Sequence, residues 1–263
     1  MAHDVDVRLR VVVLLLGLVA PLALVTACGG DPEPATGPGL PSQARLASYF
    51  GAITGGDVDA LTQVQSEVTA DGSLAHAYAA YVAASLTAAT TAGVQNDATD
   101  VEEVDGGFKA CLGGSSDQCA TWTDLRGQGG RLTDFDINGI ELGDLLVDLT
   151  GQAPIRSKSL YEVQPDYAYR QPRSGRLYVV CTLRAFDVPL SPKPGTYIEG
   201  DQVFDGIEAP SPGIIRAGTT SPIVLGFEEV QDAGLDGQVT FDLKLGGQQA
   251  ESIGFGLADP AAG

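Results

Sequence analysis

The hydrophobic pattern of this chain changes its period once, near residue 100, and that change limits the folds open to it. From Leu46 to Ala89 the apolar residues recur three and four positions apart, as on one face of an α-helix. From Phe108 to Leu245 they fall in short, often alternating runs separated by Gly, Pro and Asn, as in antiparallel strands. Helices followed by strands predict an α+β fold in which the helices cover one face of a sheet.

Three short helices are predicted in the first part of the chain. The first begins near Ser42, Asp57 caps the second and Ser73 caps the third, since short polar side chains at these positions accept hydrogen bonds from the first turn. The strands expected to receive their apolar faces are 108–112, 119–125 and 131–137. A short amphipathic helix cannot bury its apolar face alone. We therefore expect the helices and the strands to share one hydrophobic core.

The second part is predicted to be all β. A short helix is expected at 141–151, and the later runs are typical of a β-sandwich built from short strands. The predicted strands are 160–169, 176–186, 196–204, 213–216, 221–228 and 238–245. The predicted organisation is a signal peptide at 1–27, a tether at 28–43, an α+β domain at 44–140, a linker at 141–158, a sandwich domain at 159–250 and a flexible tail at 251–263.

The first residues predict export. Arg8 and Arg10 precede the run 11–25, which is apolar except for Gly17 and Pro21. A bilayer core needs about 20 apolar residues to be spanned, so this run is typical of a signal peptide. Val25-Thr26-Ala27-Cys28 then resembles the lipobox of bacterial lipoproteins. The resemblance implies that Cys28 receives a diacylglyceryl group and becomes the mature N-terminus; the alternative is an ordinary cleaved signal followed by a chance cysteine.

Lipidation at Cys28 implies a lipid anchor on the outer face of the cytoplasmic membrane. Two acyl chains hold a protein stably at a membrane, whereas one chain binds only marginally. The Pro- and Gly-rich segment 29–43 has no apolar period and is predicted to be a tether. The chain has 34 acidic and 15 basic residues, a net charge of −19, which excludes nucleic acid as a partner. The anchor, and not the acidic protein surface, is therefore expected to supply membrane attachment.

The remaining cysteines agree with an oxidising compartment. Cys111 and Cys119 flank a short Gly- and Ser-rich connection between two predicted strands, and we predict a disulfide between them. Cys181 lies in a run typical of a central strand, where we expect a buried, unreactive thiol. His76 is the one histidine after the signal, so no metal site is predicted, and no cofactor.

The body of the chain resembles known domains in both parts. Its first part is similar to the N-terminal half of uncharacterised actinobacterial lipoproteins, which implies a truncated NTF2-like domain but no reaction. The segments that carry this resemblance are Tyr49-Phe50-Gly51-Ala52-Ile53, Gly56-Asp57, Gly72-Ser73-Leu74-Ala75-His76-Ala77-Tyr78, Thr121-Trp122-Thr123-Asp124-Leu125 and Thr133-Asp134-Phe135-Asp136-Ile137-Asn138-Gly139. The second part resembles immunoglobulin-like domains of exported actinobacterial proteins, without their Cys-Trp-Cys signature.

No catalytic pattern emerges from the sequence. With one histidine beyond the signal, a Ser-His-Asp triad is not expected, and we assign no catalytic residue. The spacing of Asp134, Asp136, Asn138 and Gly139 matches the start of an EF-hand loop, but Leu145 stands where the loop needs a glutamate. A strand ended by an Asn-Gly turn is favoured there. The lone Trp122 is expected in the core rather than stacked on a ligand.

These observations predict a non-enzymatic surface lipoprotein. Its expected partners are the membrane, through Cys28, and an envelope protein or wall polymer, through the sandwich domain. The alternative is a small-ligand carrier or an enzyme that uses an apolar cavity of the NTF2-like domain. The burial of four aromatic residues discriminates between the two hypotheses, because their rings would close such a cavity if all are buried. These residues are Tyr78, Tyr81, Trp122 and Phe135.

Overall fold

The structure is a computed structural model that describes residues 37–95, 98–111, 119–157, 159–228, 230, 235–247 and 249–258. The described residues belong to one compact unit, Pro32–Gly263. Both hydrophobic clusters consist of residues of this unit, so it carries its own cores. Helices precede antiparallel strands along the chain, and the predicted α+β class is confirmed.

The three predicted helices are present among the described residues. They are α1 (Gln43–Thr54), α2 (Val58–Val68) and α3 (Leu74–Thr91). The Asp57 carboxylate accepts hydrogen bonds from two backbone N–H groups of α2, and the Ser73 hydroxyl accepts one from the backbone N–H of His76. Both predicted caps are therefore confirmed. None of the three helices is long and apolar enough to cross a membrane.

The first sheet follows the helices and has the order β1-β2-β3-β4-β5, with every pair antiparallel. Its strands are β1 (Val101–Val104), β2 (Gly107–Cys111), β3 (Cys119–Gln128), β4 (Arg131–Ile137) and β5 (Ile140–Glu141). The three predicted strands of this region correspond to β2, β3 and β4. Leu112, the predicted end of the first of them, lies outside the described residues.

The second sheet has nine strands among the described residues, in the order β14-β13-β10-β11-β12-β9-β8-β6, with β7 paired to β8. Its strands are β6 (Leu146–Asp148), β7 (Ile155–Ser157), β8 (Tyr161–Arg170), β9 (Leu177–Ala185), β10 (Leu190–Glu199), β11 (Gln202–Ile207), β12 (Thr220–Phe227), β13 (Gln238–Leu245) and β14 (Gln249–Gly256). Apolar residues from both ends of this order share one hydrophobic cluster.

Four details of the second part differ from the prediction. The strand expected at 196–204 is two strands, because Gly200, with φ of 55°, makes a turn between β10 and β11. The helix expected at 141–151 is a single 3₁₀ turn, Leu142–Asp144, followed by β6. The segment 213–216 contributes one bridge, between Ile215 and Leu190.

The fourth difference concerns the end of the chain. Residues 251–256, expected in a flexible tail, form most of β14 and pair with β13. An edge strand gains its order from backbone hydrogen bonds along one neighbour, so a composition rich in Gly and Ala does not prevent it. The side chain of Ile253, 3% exposed, adds an apolar anchor.

Helix α3 packs against both sheets. Its Tyr78 and Tyr81 contact Tyr169 of β8, with ring centroids 5.6 and 4.9 Å apart. The cluster that lies under the helices also includes Val180 and Val224 of the second sheet. The space beside this contact holds the candidate site described next.

Candidate functional site

Of the predicted site residues, Cys28 lies outside the described residues. Cys111 and Cys119 form the predicted disulfide, which joins directly paired positions of β2 and β3. Cys181 is fully buried in β9, and burial raises the pKa of its thiol well above the ordinary value. A thiol that stays protonated is a poor nucleophile, so the expectation of an unreactive Cys181 agrees with its surroundings.

The interior between the helices and the first sheet is filled by stacked rings. Phe50 lies 4.9 Å from Phe108 and 5.1 Å from Trp122, measured between ring centroids, and packs edge-on against Phe135 at 5.5 Å. Trp122 is 2% exposed, which confirms it as a core residue. All four residues proposed to close this space, Tyr78, Tyr81, Trp122 and Phe135, are buried. A ligand inside the helix-covered sheet would have to displace this stack.

The EF-hand-like segment has a structural role. Asp134 and Asp136 both pair with Arg126 of β3, at 2.8 and 2.9 Å. The Asn138 side chain accepts a hydrogen bond from the Thr121 backbone N–H at 3.0 Å, and Asn138 and Gly139 take φ of 54° and 78° in the turn. The predicted strand and Asn-Gly turn are therefore confirmed. Among the described residues, no group of three or more His, Cys, Asp or Glu could hold a metal ion.

His76, near the start of α3, is half-buried. Its Nδ1 lies 3.0 Å from the Thr69 hydroxyl, and its backbone carbonyl accepts a hydrogen bond from Gln65 at 2.8 Å. These contacts tie the end of α2 to the start of α3. The imidazole and the backbone carbonyl of His76 therefore both contribute to the contact between the two helices.

One open cleft lies at the edge of the aromatic cluster, between α3, the ends of β3 and β4, and the β8–β9 connection. Its volume is about 470 Å³, inside the range of roughly 300–1,000 Å³ that small-molecule sites occupy. The apolar residues of its lining, called the wall below, are Tyr78, Ala120, Ile137 and Tyr169. The polar residues, called the rim, are Asn138, Gln171, Arg173 and Ser174.

The two tyrosines of the cleft wall are neutral at physiological pH. Burial raises the pKa of Tyr78 to about 12 and that of Tyr169 well above 10. The wall can therefore offer hydroxyl groups and ring surfaces but no negative charge. Of the ten described residues that line the cleft, Arg173 is basic and none is acidic.

The rim belongs to an ordered hairpin that carries three arginines. The Gln171 N–H donates to the Arg176 carbonyl at 2.8 Å, and the Gly175 N–H donates to the Gln171 carbonyl at 3.0 Å. Between them the chain reads Gln171-Pro172-Arg173-Ser174, and Arg170 donates to the backbone carbonyl of Asp144 at 3.1 Å. A second cavity, of about 210 Å³, lies beside the first and is also lined by Arg170 and Arg173.

Sequence reasoning missed this site. The segment from Arg170 to Arg176 has three arginines in seven residues. In a chain of net charge −19 this basic segment could have been identified from the sequence. The proximity of this segment to Tyr78 could not have been predicted. Nearly a hundred residues separate the two in the chain, and only the packing of α3 against β8 brings them together.

A partly buried carboxylate, that of Asp166, lies elsewhere, at a bulge in β8. Asp166 accepts a hydrogen bond from the Thr182 hydroxyl at 2.7 Å, and burial raises its pKa to about 6, with a smaller contribution from Asp148. The pairing of β8 with β9 shifts register between Pro165 and Tyr167, since proline cannot donate to the ladder. The bulge orients the Asp166 side chain toward Thr182.

The chain has no match among protein-family models, among curated proteins or among solved structures.

Proposed function

We propose that this chain is a lipid-anchored, non-enzymatic binding module of the cell envelope. The observation that carries the proposal is Val25-Thr26-Ala27-Cys28 at the end of the apolar run 11–25. A diacylglyceryl group on Cys28 would hold the body at the outer face of the cytoplasmic membrane. The acidic surface, with a net charge of −19, would add no attraction to anionic lipids.

Two structural observations support this proposal. The Cys111–Cys119 disulfide is typical of an exported protein. The chemically reactive groups that the sequence offered, His76, Cys181 and the acidic loop around Asp134, are all engaged in hydrogen bonds, burial or ion pairs. A binding module therefore accounts for them better than an enzyme.

The proposal includes a finer division of the body. Residues 44–140 would form a truncated NTF2-like domain and residues 159–250 an immunoglobulin-like sandwich that contacts an envelope protein or a wall polymer. In support, the helices cover the first sheet, and the second sheet shares one hydrophobic cluster across its strands.

The anchor is tested by Cys28→Ser in an actinobacterial host. Cells are fed an alkyne-tagged fatty acid, and membrane and soluble fractions are compared. We expect the native chain to carry label in the membrane fraction and the variant to lose both label and membrane association. Cys181→Ala is the matched control, since it removes a cysteine outside the lipobox, and it should keep both. Label retained by Cys28→Ser would contradict the proposal.

Carriage of a small ligand is the second candidate function, and the cleft beside Tyr78 and Tyr169 favours it. This site differs from the cavity expected inside the helix-covered sheet, which the ring stack fills.

A further inference from the structure

We propose that the β3–β4 turn, residues 128–131, faces the membrane and that the cleft at the other end of these two strands opens away from it. This inference rests on the proposed lipid anchor at Cys28, and it adds the membrane-facing surface and the side from which a partner reaches the cleft. Three features lead to it: the docked segment Gly37–Pro41, the course of β3 and β4, and the negative charge of the chain.

The chain docks on the β3–β4 turn before α1 begins. The Leu40 N–H donates to the Gly37 carbonyl at 3.2 Å and closes a β-turn, in which Gly39 takes a φ of 89°. Proline followed by a glycine with positive φ is typical of a type II turn. The Gly130 N–H then donates to the Gly39 carbonyl at 2.9 Å, which joins this segment to the hairpin.

The contact between this segment and the hairpin leaves no room for a side chain. A Cβ atom added to Gly39 would lie 2.8 Å from the Gly127 carbonyl oxygen, and one added to Gly127 would lie 2.8 Å from the Gly39 carbonyl oxygen. Leu40 packs against the first hydrophobic cluster, and Pro41 is buried. The chain is therefore fixed to the body from Gly37 onward, beside the β3–β4 turn.

The chain between the anchor and this point is short. Eight residues, 29–36, separate Cys28 from Gly37. Whatever their conformation, the distance from Cys28 to Gly37 cannot exceed about 30 Å, because a fully extended chain advances about 3.3–3.6 Å per residue. A lipid on Cys28 would therefore keep the β3–β4 turn within about 30 Å of the bilayer surface.

The cleft lies at the opposite end of the same two strands. β3 begins at Cys119 and β4 ends at Ile137, and the ends remote from the turn carry Ala120, Ile137 and Asn138, which line the cleft. At about 3.3 Å per residue, the path along β3 from Ala120 to Gln128 is roughly 25 Å long. Attachment beside the turn therefore places the cleft at the end of the hairpin that is farther from the anchor.

Charge favours this orientation over one in which the hairpin lies along the membrane. The chain has 34 acidic and 15 basic residues, and anionic lipid headgroups repel such a surface over about 10 Å at moderate salt. The tether opposes this repulsion only beside the β3–β4 turn. The turn is therefore expected nearest the lipid, and the cleft is open to a partner that arrives from the outer envelope.

Two dye positions measure the orientation. Gln128→Cys places a thiol in the turn, and Gln171→Cys places one at the rim of the cleft; both residues are exposed. Cys111 and Cys119 form a disulfide and Cys181 is buried, so a maleimide dye reacts at the introduced thiol. Each labelled protein is reconstituted through its lipid anchor into phosphatidylglycerol vesicles whose headgroups carry an acceptor dye.

Energy transfer to the acceptor should be about threefold greater from position 128 than from position 171, because the turn is roughly 25 Å nearer the bilayer. On neutral phosphatidylcholine vesicles this ratio should fall, since no charge repulsion opposes tilting of the body. Equal transfer from the two positions on the anionic vesicles, or greater transfer from position 171, would overturn the proposal. An equal ratio on both kinds of vesicle would contradict the part assigned to charge.

The short tether is tested with an insertion. About twenty Gly and Ser residues between positions 36 and 37 would lengthen the tether, so the difference between the two dye positions should largely disappear. The same insertion in the exposed turn at Asp201 is the matched control and should preserve the difference. Circular dichroism checks that both proteins are folded. A difference that survives the insertion after position 36 would refute the tether as its cause.

A second form of attachment separates this proposal from the lipid anchor. A hexahistidine tag in place of Cys28, bound to nickel-chelating lipid, holds the same point of the chain to a vesicle without acylation. The difference between positions 128 and 171 should persist in this form. If Cys28 carries no lipid in cells and the tagged chain shows the difference, the anchor fails and the orientation stands. If the tagged chain shows no difference, the orientation fails whatever the state of Cys28.

Discussion

The helix-covered sheet buries aromatic rings where the nine-stranded sheet buries mostly aliphatic side chains. Helix α3 presents small residues, among them Ala75, Ala79 and Ala88, to the first core. Rings from α1 and the sheet fill the space that these alanines leave, and they stack on Phe50. In the second core, Val and Leu residues predominate, as expected of side chains that pack on a pleated strand surface. The apolar residues Tyr78, Ile137 and Tyr169 of the cleft all belong to the first core.

The contrast places the cleft at the edge of the aromatic core. Tyr78 and Tyr169 line it with ring centroids 5.6 Å apart, and their hydroxyl groups bring polar atoms to that edge. An apolar wall and hydrogen-bonding groups therefore occur together at this point.

The largest effect on the free energy of unfolding should come from a substitution in the stack of aromatic rings around Phe50. Phe50→Ala should lower the free energy of unfolding by about 3–5 kcal/mol, because it removes the ring that contacts Phe108 and Trp122. Leu183→Ala in the second core should cost about 2–5 kcal/mol. We expect both to shift one common transition in urea, since α3 packs on both sheets.

The control for both variants is Ser48→Ala on the exposed face of α1, which should change the free energy of unfolding by less than about 0.5 kcal/mol. Two separate transitions, with Phe50→Ala moving only one of them, would contradict a single cooperative unit. Such a result would instead favour two independent domains.

The next effect is that of the disulfide, which lies in the first sheet alone. Replacing Cys111 and Cys119 together by Ala should cost about 2–3 kcal/mol, because a short loop is no longer closed in the unfolded chain. Thermal unfolding with and without a reductant measures this. The reductant should lower the midpoint of the native chain and leave that of the double variant unchanged. If the reductant also lowered the unfolding midpoint of the double variant, the stabilisation could not be assigned to this disulfide.

The smallest effect belongs to the second sheet and depends on pH. The pKa of Asp166 is raised from 3.8 to about 6 in the folded protein, so the folded state binds the proton more tightly than the unfolded state. Stability should therefore rise as pH falls from about 6 to about 4. Because the side chain is partly exposed, we expect a gain of about 1–2 kcal/mol.

Asp166→Asn tests this linkage, because it removes the titrating group and keeps an acceptor for the Thr182 hydroxyl. The stability of this variant should vary less between pH 6 and pH 4 than that of the native chain. Asp201→Asn, in the exposed turn between β10 and β11, is the control and should keep the native profile. An unchanged profile in Asp166→Asn would assign the pH dependence to another group.

The elements with strong local signals were predictable. Asp57 and Ser73 were identified as caps because a cap depends on a few neighbouring backbone groups. The β13 strand was predicted from its alternation of Val239, Phe241 and Leu243 with polar residues. The β10–β11 hairpin and β14 were not, since glycine breaks their patterns and backbone pairing with neighbouring strands supplies their order.

By itself, the sequence determined the α+β class, the helix limits and the disulfide partners, all of which depend on residues close together in the chain. The tertiary structure decided that the helix-covered sheet is filled, that Asp166 lies partly buried beside Thr182, and that a cleft joins Tyr78 to the arginine hairpin. The Asp166 contact depends on the pairing of β8 with β9, and the other two features depend on which distant side chains meet when α3 packs against both sheets. No local periodicity encodes that contact.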